Sequence, residues 1–132
     1  MPYPTLLIVD DSPENLMVLG EVLRSHYRVR AANSGQRALQ LAQQRPLPDL
    51  ILLDVMMPGM SGYDVLARLR ESADTREIPV IFVTAMNAAE DEEHGLTLGA
   101  VDYITKPLRP AIMLARVRTH LELKRARDRL KV

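Results

Sequence analysis

The 132-residue chain contains no cysteine, which excludes a disulfide scaffold and a thiolate metal site. Its first residues, MPYPTLLIVDD, lack a basic leader and reach two acids after a short apolar run. Neither a secretory signal nor a membrane span is expected from such a start. The expectation is a soluble, cytoplasmic protein with no membrane partner. Internal repeats and low-complexity tracts are missing as well. Net charge is absent overall, with 17 basic residues balancing 17 acidic ones. The balance is uneven along the chain: Arg116–Lys131 holds seven Lys or Arg against Glu122 and Asp128. That segment reads either as a solvated helix face or as a surface for nucleic acid or another polyanion.

What is present is a regular alternation. Four short apolar runs, Thr5–Val9, Leu50–Leu53, Val80–Val83 and Val101–Ile104, have about strand length, and most are continuous rather than alternating. Such runs are buried on both faces, as in a parallel sheet. Tyr27–Ala32, interrupted by Arg28 and Arg30, reads as a more exposed edge strand. Helical patterns lie between them. Leu16, Leu19 and Leu23 follow Ser12 and Pro13, a cap and a first-turn proline. Ala38, Leu41 and Ala42 follow Ser34; Val65, Leu66 and Leu69 follow Ser61. Asn87–Leu98 is a weaker helix, acidic and thin in anchors. Met113, Leu114, Val117 and Leu121 make the last. Five β-α pairs predict an α/β fold, doubly wound, with helices on both faces of an open parallel sheet. Ligands in such folds bind beyond the carboxyl ends of the strands.

Those strand ends carry the chemistry. The first ends at Asp10 and Asp11, the third at Asp54, the fourth at Thr84, and the fifth leads to Lys106. Taken singly, each has an ordinary reading: a helix cap, a turn residue, a structural hydroxyl, a surface amine. Taken together they put three carboxylates, one hydroxyl and one amine on one edge. Clustered carboxylates raise one another's pKa unless a cation intervenes. Mg²⁺ suits hard oxygen ligands and phosphate, and none of His26, His94 or His120 lies at a strand end to favour Zn²⁺. Asp54 then reads as a nucleophile toward phosphorus, with Lys106 and Thr84 holding the phosphoryl oxygens.

The segments LLIVDDSPENL, PDLILLDVMMPGMSGYDVLARLR, IPVIFVTA and GAVDYITKPL resemble the receiver domain of two-component response regulators, across roughly Thr5 to Leu121. The resemblance implies a flavodoxin-like (βα)5 fold with strand order 2-1-3-4-5. It implies a receiver domain over residues 4–122 and a helical extension over 123–132. Asp54 is implied as phosphoacceptor. Asp11, Asp54 and the Met56 backbone carbonyl are implied as Mg²⁺ ligands, with Asp10 assisting through water. Thr84 and Lys106 would hold the phosphoryl group, and Tyr103 would be the switch aromatic that turns inward with Thr84. The Lys106–Pro107 bond is expected to be cis. The donor would be a sensor histidine kinase, a phosphotransfer protein or a small acyl phosphate. The chain would be a phosphoacceptor promoting its own phosphorylation and dephosphorylation, not a turnover enzyme. Met56 and Met86, two residues past Asp54 and Thr84, orient water poorly, so slow self-dephosphorylation is expected.

The readout is expected on the fourth helix, the fifth strand and the last helix, acidic on one helix and basic on the other, which suits a homodimer. Leu123, Ala126 and Leu130 continue an apolar stripe past the domain. RVRTHLELKRARDRL is similar to connectors preceding cyclic-di-GMP enzymes or kinase modules. No element is left for a helix-turn-helix, so direct nucleic-acid binding is not expected. A phosphatase with an aspartyl-phosphate intermediate would want a second acid where Met56 stands. A phosphate-independent interaction module of the same fold is the remaining alternative.

Overall fold

The computed structural model describes residues 3–85, 93–94 and 96–130. Five parallel strands form one sheet in the order β2-β1-β3-β4-β5, as the resemblance implies. They are β1 (Thr5–Val9), β2 (Arg28–Ala32), β3 (Leu50–Asp54), β4 (Val80–Thr84) and β5 (Asp102–Thr105). The helices are α1 (Pro13–Leu23), α2 (Gly35–Ala42), α3 (Gly62–Glu71) and α4 (Pro110–Arg129). The helix expected over Asn87–Leu98 lies largely outside the described residues. Of it, Glu93, His94, Leu96 and Thr97 have helical backbone.

Successive strand residues face opposite sides of a sheet, and the continuous apolar runs feed two cores accordingly. Leu6, Ile8, Leu50, Leu52, Ile81 and Val83 pack with Leu19 and Leu23 of α1 and with Met113, Val117 and Leu121 of α4. Leu7, Val9, Ile51, Leu53, Val80 and Phe82 pack with Ala38 and Leu41 of α2 and with Val65, Leu66 and Leu69 of α3. β2 lies at the sheet's edge, and its arginines stay partly exposed.

Local chemistry starts each helix where the site needs it. The Ser12 hydroxyl accepts from the Asn15 N–H, and Pro13 occupies the first turn, where its missing N–H costs nothing. Ser34 caps α2 in the same way. At α3 the exchange is reciprocal: Ser61 Oγ accepts from the Asp64 N–H, and the Asp64 carboxylate accepts from the Ser61 N–H.

α4 runs without a break from the core through Leu121 and on to Arg129. Beyond the core it is tied back by Lys124, whose Nζ lies 3.6 Å from Asp49, and the same amine pairs along the helix with Asp128 at 2.9 Å. Leu123 and Leu130 stay exposed, Leu130 at 86%. No described helix is long and apolar enough to cross a membrane.

Candidate functional site

Strand register builds the site. Val9 pairs with Leu53, so Asp10 follows level with Asp54. Asp54 pairs with Val83, which brings Thr84 one step beyond it on the neighbouring strand. Thr84 pairs with Thr105, and Lys106 comes next. The Lys106 N–H donates to the Thr84 carbonyl at 2.8 Å, holding the turn at the end of β5 against β4. The Lys106–Pro107 peptide is cis, as is Arg45–Pro46.

Asp10, Asp11 and Asp54 each present a carboxylate oxygen, and these oxygens lie within 4.8 Å of one another. Asp10 and Asp54 are buried, at 1% and 5% exposure, while Asp11 faces solvent. The donors are all hard oxygens, a set that could hold a divalent cation of the Mg²⁺ or Ca²⁺ kind. Lys106 reaches in from the far side of the sheet. Its Nζ is 3.2 Å from Asp10 Oδ2 and 3.7 Å from Asp54 Oδ1.

Asp10 is the better satisfied of the two buried acids. It also accepts from the Ser12 N–H at 2.9 Å and from Asn15 Nδ2 at 3.2 Å. Asp54 carries the imbalance: its pKa is raised from 3.8 to about 6. Burial is the largest cause, and the Asp10 charge adds to it. The Lys106 ammonium and a hydrogen bond from the Met56 N–H pull the other way, and Asp11 pushes it up again. The sequence predicts mutual repulsion among the acids. In the fold, loss of water around Asp54 comes first, because β3 delivers the carboxylate at the rim of the core.

Thr84 is fully buried at the end of β4, beside this cluster in register. Tyr103 is buried too, at 8% exposure, with its ring on Phe82. Met56 is 62% exposed on the loop after Asp54, and Met86 lies outside the described residues. The acidic run of the fourth helical segment, Glu90–Glu93, also lies outside them except for Glu93. The acid of β5, Asp102, is engaged within the chain. It receives two hydrogen bonds of 3.0 Å from Arg116 Nη1 and lies 3.0 Å from His120 Nε2.

Several residues that shape the site have no signal in the sequence read alone. Asn15 reads as an ordinary helix residue, yet it holds Asp10. Gly62 reads as the first residue after a cap. A β-carbon there would collide with the Asp54 carbonyl oxygen and come within 2.9 Å of Val55 Cα. The Gly62 N–H donates to the Val55 carbonyl at 2.9 Å, so the loop after Asp54 closes on α3 through this one position. Tyr63, next in line, brings its hydroxyl to 3.3 Å from that of Tyr103. The glycine gap and the tyrosine pair were discoverable only once α3 was laid against β3 and β5.

The response regulator receiver domain family matches residues 6–118. A probable cyclic di-GMP phosphodiesterase of Vibrio cholerae is 48% identical over 124 residues, which is 94% of this chain and 28% of that protein. The response regulator PleD of Caulobacter vibrioides is 42% identical over 127 residues, 96% of this chain and 28% of PleD. This chain therefore spans less than a third of the length of these two relatives. The beryllofluoride-activated receiver domain of DrrB, from Thermotoga maritima, superposes with a TM-score of 0.82 at 34% identity, over 92% of this chain and 99% of that one. The strand order, the acids at one sheet edge and these matches give one answer: the chain belongs to the response regulator receiver domain family of two-component systems.

Proposed function

We propose that Asp54 accepts a phosphoryl group from a phosphohistidine and that the domain signals through the conformation this selects. The observation that carries the reading is the pairing of a buried, nucleophile-ready Asp54 with Lys106 at 3.7 Å and with two further carboxylates within 4.8 Å. At neutral pH a carboxyl with a pKa of about 6 is mostly ionised, so it needs no general base. An Asp54 oxygen forms the new O–P bond as the donor's N–P bond breaks, and the leaving imidazole retains its electron pair. With an acyl phosphate, a carboxylate leaves instead. Lys106 offsets the charge on the phosphoryl oxygens, and the Thr84 hydroxyl donates to one of them.

Asp11, Asp54 and the Met56 carbonyl would hold Mg²⁺, with Asp10 assisting through water. Bound there, the ion supplies charge neutralisation for the phosphoryl group. Hydrolysis returns the Asp54 carboxylate and inorganic phosphate. Exposed Met56 offers water no hydrogen bond, so the phosphoprotein is expected to be long-lived. A half-life no longer after Met56→Ala than after Met56→Glu, followed by loss of mass label in Mg²⁺, would count against that role.

The donor on this reading is a sensor histidine kinase or a phosphotransfer protein, in the cytoplasm. The output lies in a longer protein or a separate partner, reached through α4 and its extension over 123–132. The name of one longer relative, the probable cyclic di-GMP phosphodiesterase, supports a cyclic-di-GMP enzyme as the output. A homodimer fits the opposed charges of the acidic Glu90–Glu93 run and the basic stretch from Arg116 to Lys131 in the sequence.

Intact-mass measurement after incubation with acetyl phosphate tests the chemistry. One phosphoryl group is expected, requiring both Mg²⁺ and Asp54, with none on Asp54→Asn. No adduct under conditions that capture a short-lived one would sink the reading and favour a phosphate-independent interaction module.

A further inference from the structure

We propose that Tyr63 is a positioning residue for the switch: its hydroxyl holds Tyr103 in the inward position that phosphorylated Asp54 selects. The inference rests on the reading of Asp54, Thr84 and Tyr103 given above. It assigns part of the switch to α3, which follows the phosphoacceptor loop in the chain.

The geometry is a small aromatic cluster of Phe82 on β4, Tyr103 on β5, Tyr63 on α3 and His94 in the helical segment before β5. Phe82 is the chain's single phenylalanine, fully buried in β4 two residues before Thr84. Tyr103 is its register partner on β5, with ring centroids 5.4 Å apart. Tyr63 also meets Phe82, edge to face at 5.3 Å, and receives His94 at 4.6 Å in the same geometry. Both contacts fall in the favourable range and geometry for aromatic pairs. The Tyr63 and Tyr103 hydroxyls then meet at 3.3 Å. A buried phenol keeps a hydrogen-bond partner at hand, because leaving one unsatisfied is costly. Turning Tyr103 outward breaks this contact and uncovers Phe82.

Tyr63 is also well placed to sense the phosphoacceptor. It follows Gly62, whose backbone lies directly against the carbonyl of Asp54 and bonds to Val55. A shift of the loop after Asp54 therefore moves the start of α3, and with it the hydroxyl that Tyr103 meets. Tyr103 is thus addressed twice, once through Thr84 on β4 and once through Gly62–Tyr63 on α3. Phe82 touches both tyrosine rings.

Holding Tyr103 inward before phosphorylation raises the competent fraction, and apparent affinity scales with that fraction. Removing one hydroxyl of the pair should therefore weaken binding of a phosphoryl mimic by about 2- to 10-fold, the range set by one ordinary hydrogen bond. The test is a double-mutant cycle of Tyr63→Phe and Tyr103→Phe, which keeps every ring and removes only hydroxyls. Beryllofluoride affinity is titrated in Mg²⁺. The tyrosine environments are read by fluorine NMR on 3-fluorotyrosine protein, which has only four tyrosines to assign.

Each single change should weaken beryllofluoride, and the double variant should be no weaker than the worse single, the mark of a shared contact. Tyr63→Phe should also move the Tyr103 resonance before any ligand is added, while the urea midpoint stays close to wild type. Additive losses, or a Tyr103 resonance indifferent to Tyr63→Phe with wild-type binding intact, would overturn the inference alone. Failure of wild type itself to bind beryllofluoride would overturn the phosphoacceptor reading and this one with it.

Discussion

Asp54→Asn should leave the metal-free protein more stable than wild type at neutral pH. The Asp54 pKa is raised to about 6 from an ordinary 3.8, first by burial and then by the Asp10 charge. In the unfolded chain this carboxyl loses its proton near pH 4, whereas the folded protein holds it until about pH 6. Wild type is therefore most stable, as far as this group goes, below the unfolded value. It loses that contribution as pH rises through the folded value and does not regain it above. Two pKa units correspond to about 3 kcal/mol, and solvent at the open rim of the site screens this to about 1–2 kcal/mol. Asparagine keeps the shape and cannot ionise. Urea unfolding across this range should show the variant ahead by about 1–2 kcal/mol at pH 7, with the gap closing below pH 4. Saturating Mg²⁺ should reverse the order. Metal held at a hundredfold excess over its Kd adds about 2.7 kcal/mol to wild type, while the variant has lost a carboxylate ligand. A metal-free wild type that equals or exceeds Asp54→Asn at pH 7 would mean the site stores no excess negative charge.

Gly62→Ala, at the start of α3, should be more damaging than a single-methyl change in the loop after Asp54. The added carbon would meet the Asp54 carbonyl oxygen, Val55 Cα at 2.9 Å and the Asp54 carbonyl carbon at 3.0 Å. All three are backbone atoms, so no side chain can rotate away, and either α3 or the end of β3 must move. Overpacking of this kind costs about 1–3 kcal/mol, with rigid backbone at the upper end. The displaced atom belongs to the phosphoacceptor itself. A misplacement of about 1 Å costs on the order of 100-fold in rate, so phosphoryl uptake should fall by about that much even where the variant stays folded. Gly59 makes the useful contrast. Nothing lies within 4 Å of a β-carbon there, but its φ of 77° is left-handed. Gly59→Ala should cost about 1–2 kcal/mol through conformation alone and leave the rate of uptake nearly intact. Acetyl phosphate time courses on the two alanine variants, beside their urea midpoints, separate the two effects. Equal rates would show that the Gly62 contact does not set the position of Asp54.

The sheet and its chemical edge were legible in the amino acids because each depends on short-range pattern. Continuous apolar runs of strand length, each ending in Asp10, Asp54 or Thr84, announced buried parallel strands with polar tips. Ser12, Ser34 and Ser61 announced where helices begin, since a hydroxyl acting on an N–H three residues on is a local event. The arginines of β2 marked an edge. The alternating β-α order then joined those tips on one sheet edge, and resemblance to a family gave them their roles. The weak helical pattern over Asn87–Leu98 stayed thin for a matching reason: few apolar residues recur there to give a periodic signal.

What the sequence determined by itself was therefore the set of elements and the residues standing at their carboxyl ends. Tertiary structure decided what those residues do to one another. Lys106 meets Asp10 across 96 positions of chain, and Tyr63 meets Tyr103 across 40. Only the strand register and the seat of α3 set those distances. The gap at Gly62, the raised pKa of Asp54 and the clasp of Asn15 on Asp10 likewise exist only once the layers close. Burial and electrostatic coupling act through space, and their strength depends on separations of a few ångströms that no local pattern encodes.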